Sequence, residues 1–421
     1  MHYDFPYRDI PGLDFPDDNP PTLYGVKSLE GQGDENELIR QSIANPIGMD
    51  RFGSYLKPDS SVLILIDDMS RPTPADKILP HVLEEIHSAG VSKDNVLLLV
   101  ALGTHRHMTE AEIATKVGDR IAGEYRVINH EWENPDALHK YGELDSGVQV
   151  VLNKHMRDAD FVIGVGGITP HPAAGFSGGG KIVAPGVATE HAVGEFHWQS
   201  VQTPQADVLG VRDNPMREQI DQIAELAGLN AIVNVIQDGH GRVVRVFSGH
   251  YIDAHRAGCE FALEVFGTEI EKPDEADIFI ADTHPLDQEL WQGVKAMCAL
   301  DCIVPDGAVV ILVTPSPEGV APQHPDVLKY GYRTLEEGRK LVEQGVSKVA
   351  AHNIVQGGRL VRRTTALIVS GGVMADEAEQ LGYRKFDTPQ QALEEAWKIK
   401  GKDARTIILR MGGEICPVVK E

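Results

Sequence analysis

The chain is poor in cysteine: Cys259, Cys298, Cys302 and Cys416 are its only four in 421 residues. None pairs as CxxC and their density is far below that of a disulfide scaffold, so a reducing compartment is expected. Cys298 and Cys302 can share a helical face, but two thiols alone do not make a metal site. Positive charge is also scarce, with 39 Lys and Arg against 63 Asp and Glu, a net charge of −24. Such a surface repels polyanions, which argues against nucleic acid or an anionic membrane as partner. No apolar run reaches the roughly 20 residues of a membrane span. The start, Met1-His2-Tyr3-Asp4-Phe5-Pro6, lacks the basic segment and apolar stretch of a secretory signal. A cytoplasmic protein is the expectation.

What is present is 42% hydrophobic residues, enough in a chain this long for two or three cores. Strand-length apolar runs recur at Val62 to Ile66, Val96 to Leu102, Phe161 to Val165, Ile278 to Ala281, Val309 to Val313, Ala366 to Val369 and Ile407 to Leu409. Helix-like stretches separate them. Leu79, Val82, Leu83 and Ile86 keep helical spacing, and Thr109 to Glu112 reads as a capping box closed by Gly118. Ile232 to Ile236 and Val243 to Phe247 read as a hairpin. This alternation predicts an α/β protein of two domains, each with a largely parallel sheet flanked by helices. The polar, proline-punctuated stretch from Thr268 to Ala276 sets the boundary near residue 272, giving a cofactor-binding unit over 1–272 and a second over 273–421.

Polar clusters follow the strands: Asp67 to Pro72, Gly103 to Met108, a glycine-rich stretch after Val165, and Asp282 to Pro285. Ligands collect outside the carboxyl ends of parallel strands, so these clusters predict one cleft, between the domains. The glycine-rich stretch, Gly164 to Gly186, holds eight glycines together with His171 and Lys181. Glycine lets backbone approach a ligand and offer amide N–H groups to an anion. Gly175-x4-Gly180-Lys181 begins like a P-loop, but Ile182 stands where the magnesium-binding hydroxyl belongs. The Rossmann fingerprint also fails, for want of its third spaced glycine. A surface loop with a solvated lysine is the plain alternative.

His105 and His171 each follow a strand, and an imidazole titrates near neutrality, so both can exchange protons with a substrate. The competing reading is two histidines bonded to loop carbonyls. His107 is expected to face solvent. His197 lies in a helix-like stretch after Thr189, outside any HExxH motif, and spacing alone favours a structural role unless a cofactor supplies further metal donors. Trp291, Gln292 and Lys295 share one side of a predicted helix, a charge, an amide and an aromatic wall suited to a small carboxylate. A solvated helix face fits the same spacing. Arg71 can hold a carboxylate bidentately.

Together these residues resemble the nickel-pincer lactate racemase family. The resemblance rests on Asp68-Met69-Ser70-Arg71-Pro72, Gly103-Thr104-His105-Arg106, the run from Pro170 through His171, Gly175-Phe176-Ser177-Gly178-Gly179-Gly180 to Lys181, His197, and Gln292-Gly293-Val294-Lys295. These pieces span about residues 60 to 300. The resemblance implies a pyridinium-3-thioamide-5-thiocarboxylic acid mononucleotide carrying Ni(II), attached covalently at Lys181, with His197 as the protein ligand to nickel. It implies that Gly178, Gly179, Gly180, Ser177 and Asp68 belong to the cofactor's surroundings, with Asp68 as an orienting group. It implies racemisation or epimerisation at C2 of lactate or a related 2-hydroxy acid by proton-coupled hydride transfer. His105 and His171 would be the acid–base pair, and Arg71, Gln292, Lys295 and Trp291 would meet the substrate. Enzymes that make the cofactor would be the loading partners. A nickel-cofactor carrier or sensor without turnover stays open, as does an NAD-dependent 2-hydroxy acid dehydrogenase. Retention of both histidines argues for an enzyme.

Overall fold

The structure is a computed structural model describing residues 1–29, 33–145 and 147–420. Two six-stranded sheets organise it. Their strands in chain order are β1 (Thr22–Gly25), β2 (Val62–Ile66), β3 (Val96–Val100), β4 (Arg126–Asn129), β5 (Phe161–Gly167), β6 (Ala231–Gln237) and β7 (Val243–His250). There follow β8 (Ile278–Asp282), β9 (Val309–Val313), β10 (Thr365–Val369), β11 (Arg384–Phe386) and β12 (Thr406–Arg410). The helices that matter to the site are α1 (Ala75–Ser88), α2 (Glu110–Val117), α3 (Glu190–Ser200), α4 (Pro215–Leu226), α5 (Asp253–Phe266), α6 (Leu290–Asp301) and α7 (Lys348–Val361).

The first sheet has the order β7-β6-β5-β2-β3-β4 and is parallel apart from the β6–β7 hairpin. Its inner strands are apolar on both faces because both are covered. Ile64, Ile66 and Leu98 pack on Ile78, Leu79 and Val82 of α1. Leu63 and Leu65 point the other way, onto Phe196 of α3 and Ile220 and Ile223 of α4. The capping box at Thr109 and Glu112 forms, and Gly118 follows α2 at φ 85°.

The second sheet, β11-β10-β9-β8-β12-β1, is parallel throughout. One face meets α6 and α7, through Val294, Met297 and Ile354. The other face is covered partly by Tyr3, Phe5, Leu13 and Phe15. The start of the chain, expected within the unit 1–272, therefore packs on the far sheet, and β1 extends it beside β12. Burial of those four apolar side chains, each under 8% exposed, gives the reason. The C-terminal strand Cys416–Lys420 likewise pairs with Gly267–Glu271 across the expected boundary. Between the units, Lys348 of α7 holds both carboxylate oxygens of Glu195 on α3 at 2.6 Å. Among the described residues no helix is long and apolar enough to cross a membrane.

Candidate active site

Three loops at the carboxyl ends of β2, β3 and β5 open into one cavity, closed from the other side by α3, α6 and α7. Asp68, Arg71, His105, His171, Ser177, Gly178, Lys181, His197, Trp291, Gln292 and Lys295 all line it. The fourth expected cluster does not. Asp282 is buried and accepts the backbone N–H groups of His284 and Met411, while Thr283 turns to Tyr7, so only the following Leu286 reaches the cavity.

His105 stands in a chain of polar contacts. Its Nδ1–H donates to Asp68 Oδ2 at 2.7 Å, which leaves the Nε2 lone pair facing the Gln292 amide at 3.2 Å. Gln292 Oε1 in turn accepts from Arg71 at 3.4 Å. Burial alone would raise the Asp68 carboxyl, but the charge and hydrogen bond of His105, with Arg71 and Ser70, hold it well below the usual carboxylate range. Lys116, in the last turn of α2, fastens this loop from beneath. Its ammonium donates to the carbonyls of Asp68 (3.1 Å) and Arg71 (2.9 Å) and pairs with Asp67 at 2.7 Å.

His171 lies among cations instead. Burial lowers its pKa well below the ordinary value, and Lys181, Lys295, His197 and Arg71 push the same way. Its Nδ1 accepts the Ala173 N–H at 3.1 Å, so the neutral ring carries its proton on Nε2. His197 donates from Nδ1 to the Val193 carbonyl at 2.9 Å, which leaves its Nε2 lone pair free. Burial, then His352 and Lys181, keep this ring neutral as well. Lys181 is half-buried, and desolvation followed by Arg71 and Arg217 takes its amine well below the usual lysine range. Lys295 is lowered by burial, Arg71 and Lys181 against the pull of Glu414. Burial pushes Glu414 up to about 7.

The glycine-rich run is tight for packing reasons as much as for ligand access. A Cβ on Gly179 would sit 2.7 Å from the His255 ring, and one on Gly180 would sit 2.9 Å from Ala224 of α4. Neither lines the cavity; Gly178 does, at φ 74°. The Ser177 hydroxyl is committed within the loop, donating to the Gly167 carbonyl and accepting the Thr169 N–H, each at 2.8 Å. Arg217, fully buried, donates to the carbonyls of Gly178, Ala174 and Phe176 and pins the run from behind. Thr189 precedes α3 as expected but makes no side-chain cap bond.

Sequence reasoning missed Glu414, Lys116, Asn234, and three residues of α7: His352, Asn353 and Gln356. Asn234 accepts the Gly179 N–H at 2.8 Å. The α7 residues line the cavity although that helix is buried along nearly its whole length. Polar residues inside so apolar a stretch were the available signal. Trp291 stacks on His324 with ring centroids 4.3 Å apart.

Family models describe the two halves of the chain: residues 10–208 match the lactate racemase N-terminal domain and residues 271–416 the lactate racemase C-terminal domain. A lactate racemase of Thermoanaerobacterium thermosaccharolyticum is 33% identical over 288 residues, which span 68% of this chain and 67% of that one. The chain belongs to the lactate racemase family. This is a family of isomerases, and this member is an enzyme of that class. The lactate racemase of Lactiplantibacillus plantarum is 26% identical over 387 residues, 90% of each chain. The lactate racemase apoprotein of T. thermosaccharolyticum superposes over the full length of both chains with a TM-score of 0.88 at 26% identity. A Thermotoga maritima protein shares the fold, with a TM-score of 0.75 at 20% identity, covering 93% of this chain and 100% of that one.

Proposed function

We propose that this chain racemises or epimerises a small 2-hydroxy acid at C2, with a nickel-pincer nucleotide tethered at Lys181 and its nickel bound by His197. One observation carries the reading: His105, paired with Asp68, and the buried His171 line the same cavity as Lys181 and His197. Among the described residues no three His, Cys, Asp or Glu side chains stand close enough to hold a metal together. The residues fit a group that brings its own donors. His197 would offer one neutral nitrogen to a nickel whose remaining donors the cofactor itself would bring. Desolvation, with Arg71 and Arg217, shifts the Lys181 amine toward its neutral form, the nucleophilic form needed to make the tether.

Bound there, the group supplies a reversible acceptor for the C2 hydrogen. The chain's own residues do the rest. Arg71 and Lys295 hold the substrate carboxylate. The 2-hydroxyl takes the place of the Gln292 amide at His105 Nε2, which removes its proton while Asp68 steadies the imidazolium. The two enantiomers present their hydroxyls to different sides, and His171 serves the second. A carrier or sensor needs Lys181 and His197 but has no use for the chain from Asp68 through His105 and Gln292 to Arg71.

Protein co-produced with the cofactor-making enzymes should carry an added mass on the Lys181 peptide and invert C2 in a chiral assay. Lys181→Ala should fold, lack the adduct and lose activity. Full turnover by that variant would refute the reading.

A further inference from the structure

Three polar atoms of α7 in the cavity wall have no hydrogen-bond partner among the described residues: His352 Nε2, Asn353 Oδ1 and Gln356 Nε2. Their side chains are nearly sealed, at 6%, 3% and 4% exposure. A buried polar atom left unpaired is costly, and native interiors rarely keep three together without something to meet them. The orientation of Asn353 is set by its Nδ2, which donates to the Trp291 carbonyl at 3.2 Å. Its Oδ1 is therefore the free atom, an acceptor, while Gln356 offers a donor and His352 a ring nitrogen.

The place matters as much as the chemistry. The His352 ring lies 4.8 Å, centroid to centroid, from that of His197, and Asn353 is bonded to α6, the helix of Gln292 and Lys295. His352 thus stands beside the nickel-ligand candidate and Asn353 beside the helix of Gln292 and Lys295, and all three residues line the cavity in which the substrate side chain would lie. A methyl group there would satisfy none of them. A second carboxylate, which only accepts, would face Asn353 Oδ1 with no lysine or arginine among the three. Hydroxyl groups both donate and accept, and they suit an acceptor beside a donor.

We infer that the substrate is a 2-hydroxy acid bearing further hydroxyl groups on its side chain, recognised by His352, Asn353 and Gln356. This rests on the racemase reading above. The test compares three acids of equal carbon number on the loaded enzyme: 2-hydroxybutanoate, 2-hydroxybutanedioate and 2,3,4-trihydroxybutanoate. Inversion at C2 is followed by chromatography, binding by quenching of tryptophan fluorescence, and loading by intact mass. The trihydroxy acid should exceed both others by about 100-fold in kcat/KM, since a site built to bond hydroxyls rejects analogues that lack them. Gln356→Leu should cut that preference about tenfold, mainly through KM, with the mass adduct unchanged.

Equal or better use of 2-hydroxybutanoate or 2-hydroxybutanedioate by the unmodified enzyme overturns the inference and leaves the racemase reading standing. Loss of the adduct in Gln356→Leu also overturns it, since the side chain would then serve the cofactor. If a loaded enzyme inverts none of the acids, the racemase reading fails, and the ranking of binding constants still decides this inference.

Discussion

His105 and His171 line one cavity in opposite electrostatic settings. His105 has a carboxylate on Nδ1 and an amide donor on Nε2. His171 has a backbone N–H on Nδ1 and Lys181, Lys295, His197 and Arg71 around it, with no carboxylate partner among the described residues. The first turns its Nε2 lone pair to a donor in the cavity. The second is a weak base until its surroundings change. A substrate carboxylate offsets Arg71 and Lys295, so substrate binding raises the basicity of His171. A pair that looks equivalent in sequence is thus unequal in its protein surroundings, and the substrate's own charge narrows the difference.

The severest break of this comparison removes either ring. His105→Ala and His171→Ala should each lower racemisation in both directions by about 10²–10⁴, because the base for one enantiomer is the acid for the other. Chiral assays on variants verified by mass to be fully loaded would check this; near-normal turnover in both would remove them from the chemistry. A finer cut reaches one half. Asp68→Asn should cost about 10–100-fold, the usual price of losing an orienting partner. The loss should be equal in both directions, since His105 is the base for one enantiomer and the acid for the other. Chiral assays on the loaded variant check it, and unchanged turnover would mean that Asp68 does not orient His105.

The smallest effect concerns Glu414, which stands beside Lys295 with its pKa pushed up to about 7 by burial. Above that pH it ionises and competes with the substrate carboxylate for Lys295. KM should therefore rise as pH passes through about 7, by a few-fold to about tenfold for one nearby charge. In Glu414→Gln the rise should vanish. A KM that stays flat in the parent enzyme over pH 6–8 would show that this carboxyl does not sense the substrate.

Much of this was legible in the residues. The apolar runs became β2, β3, β5, β8, β9, β10 and β12, because strands covered on both faces need continuous apolar sequence. The loops carrying Asp68, His105, His171 and Lys181 were found by motif and by their place after a strand. The α7 wall was not, because a buried helix announces its packing and hides which few side chains look into a cavity. Lys116 read as an ordinary last-turn cation, though its ammonium reaches back under the Asp67–Pro72 loop. The pairing of β1 with β12 joins residues nearly 400 positions apart, and no local pattern specifies it. The glycines at 179 and 180 drew attention as ligand contacts, yet their small size answers to His255 and Ala224.

The most direct test follows the hydrogen on C2. An imidazole is a poor base for a carbon acid but suits a hydroxyl proton, so the C2 hydrogen should leave and return without meeting solvent. Substrate deuterated at C2 should racemise more slowly than the protonated acid and keep its label, with a trace of 2-oxo acid in quenched samples. Loss of the label to water at the rate of racemisation would mean proton abstraction from carbon, and would contradict the account.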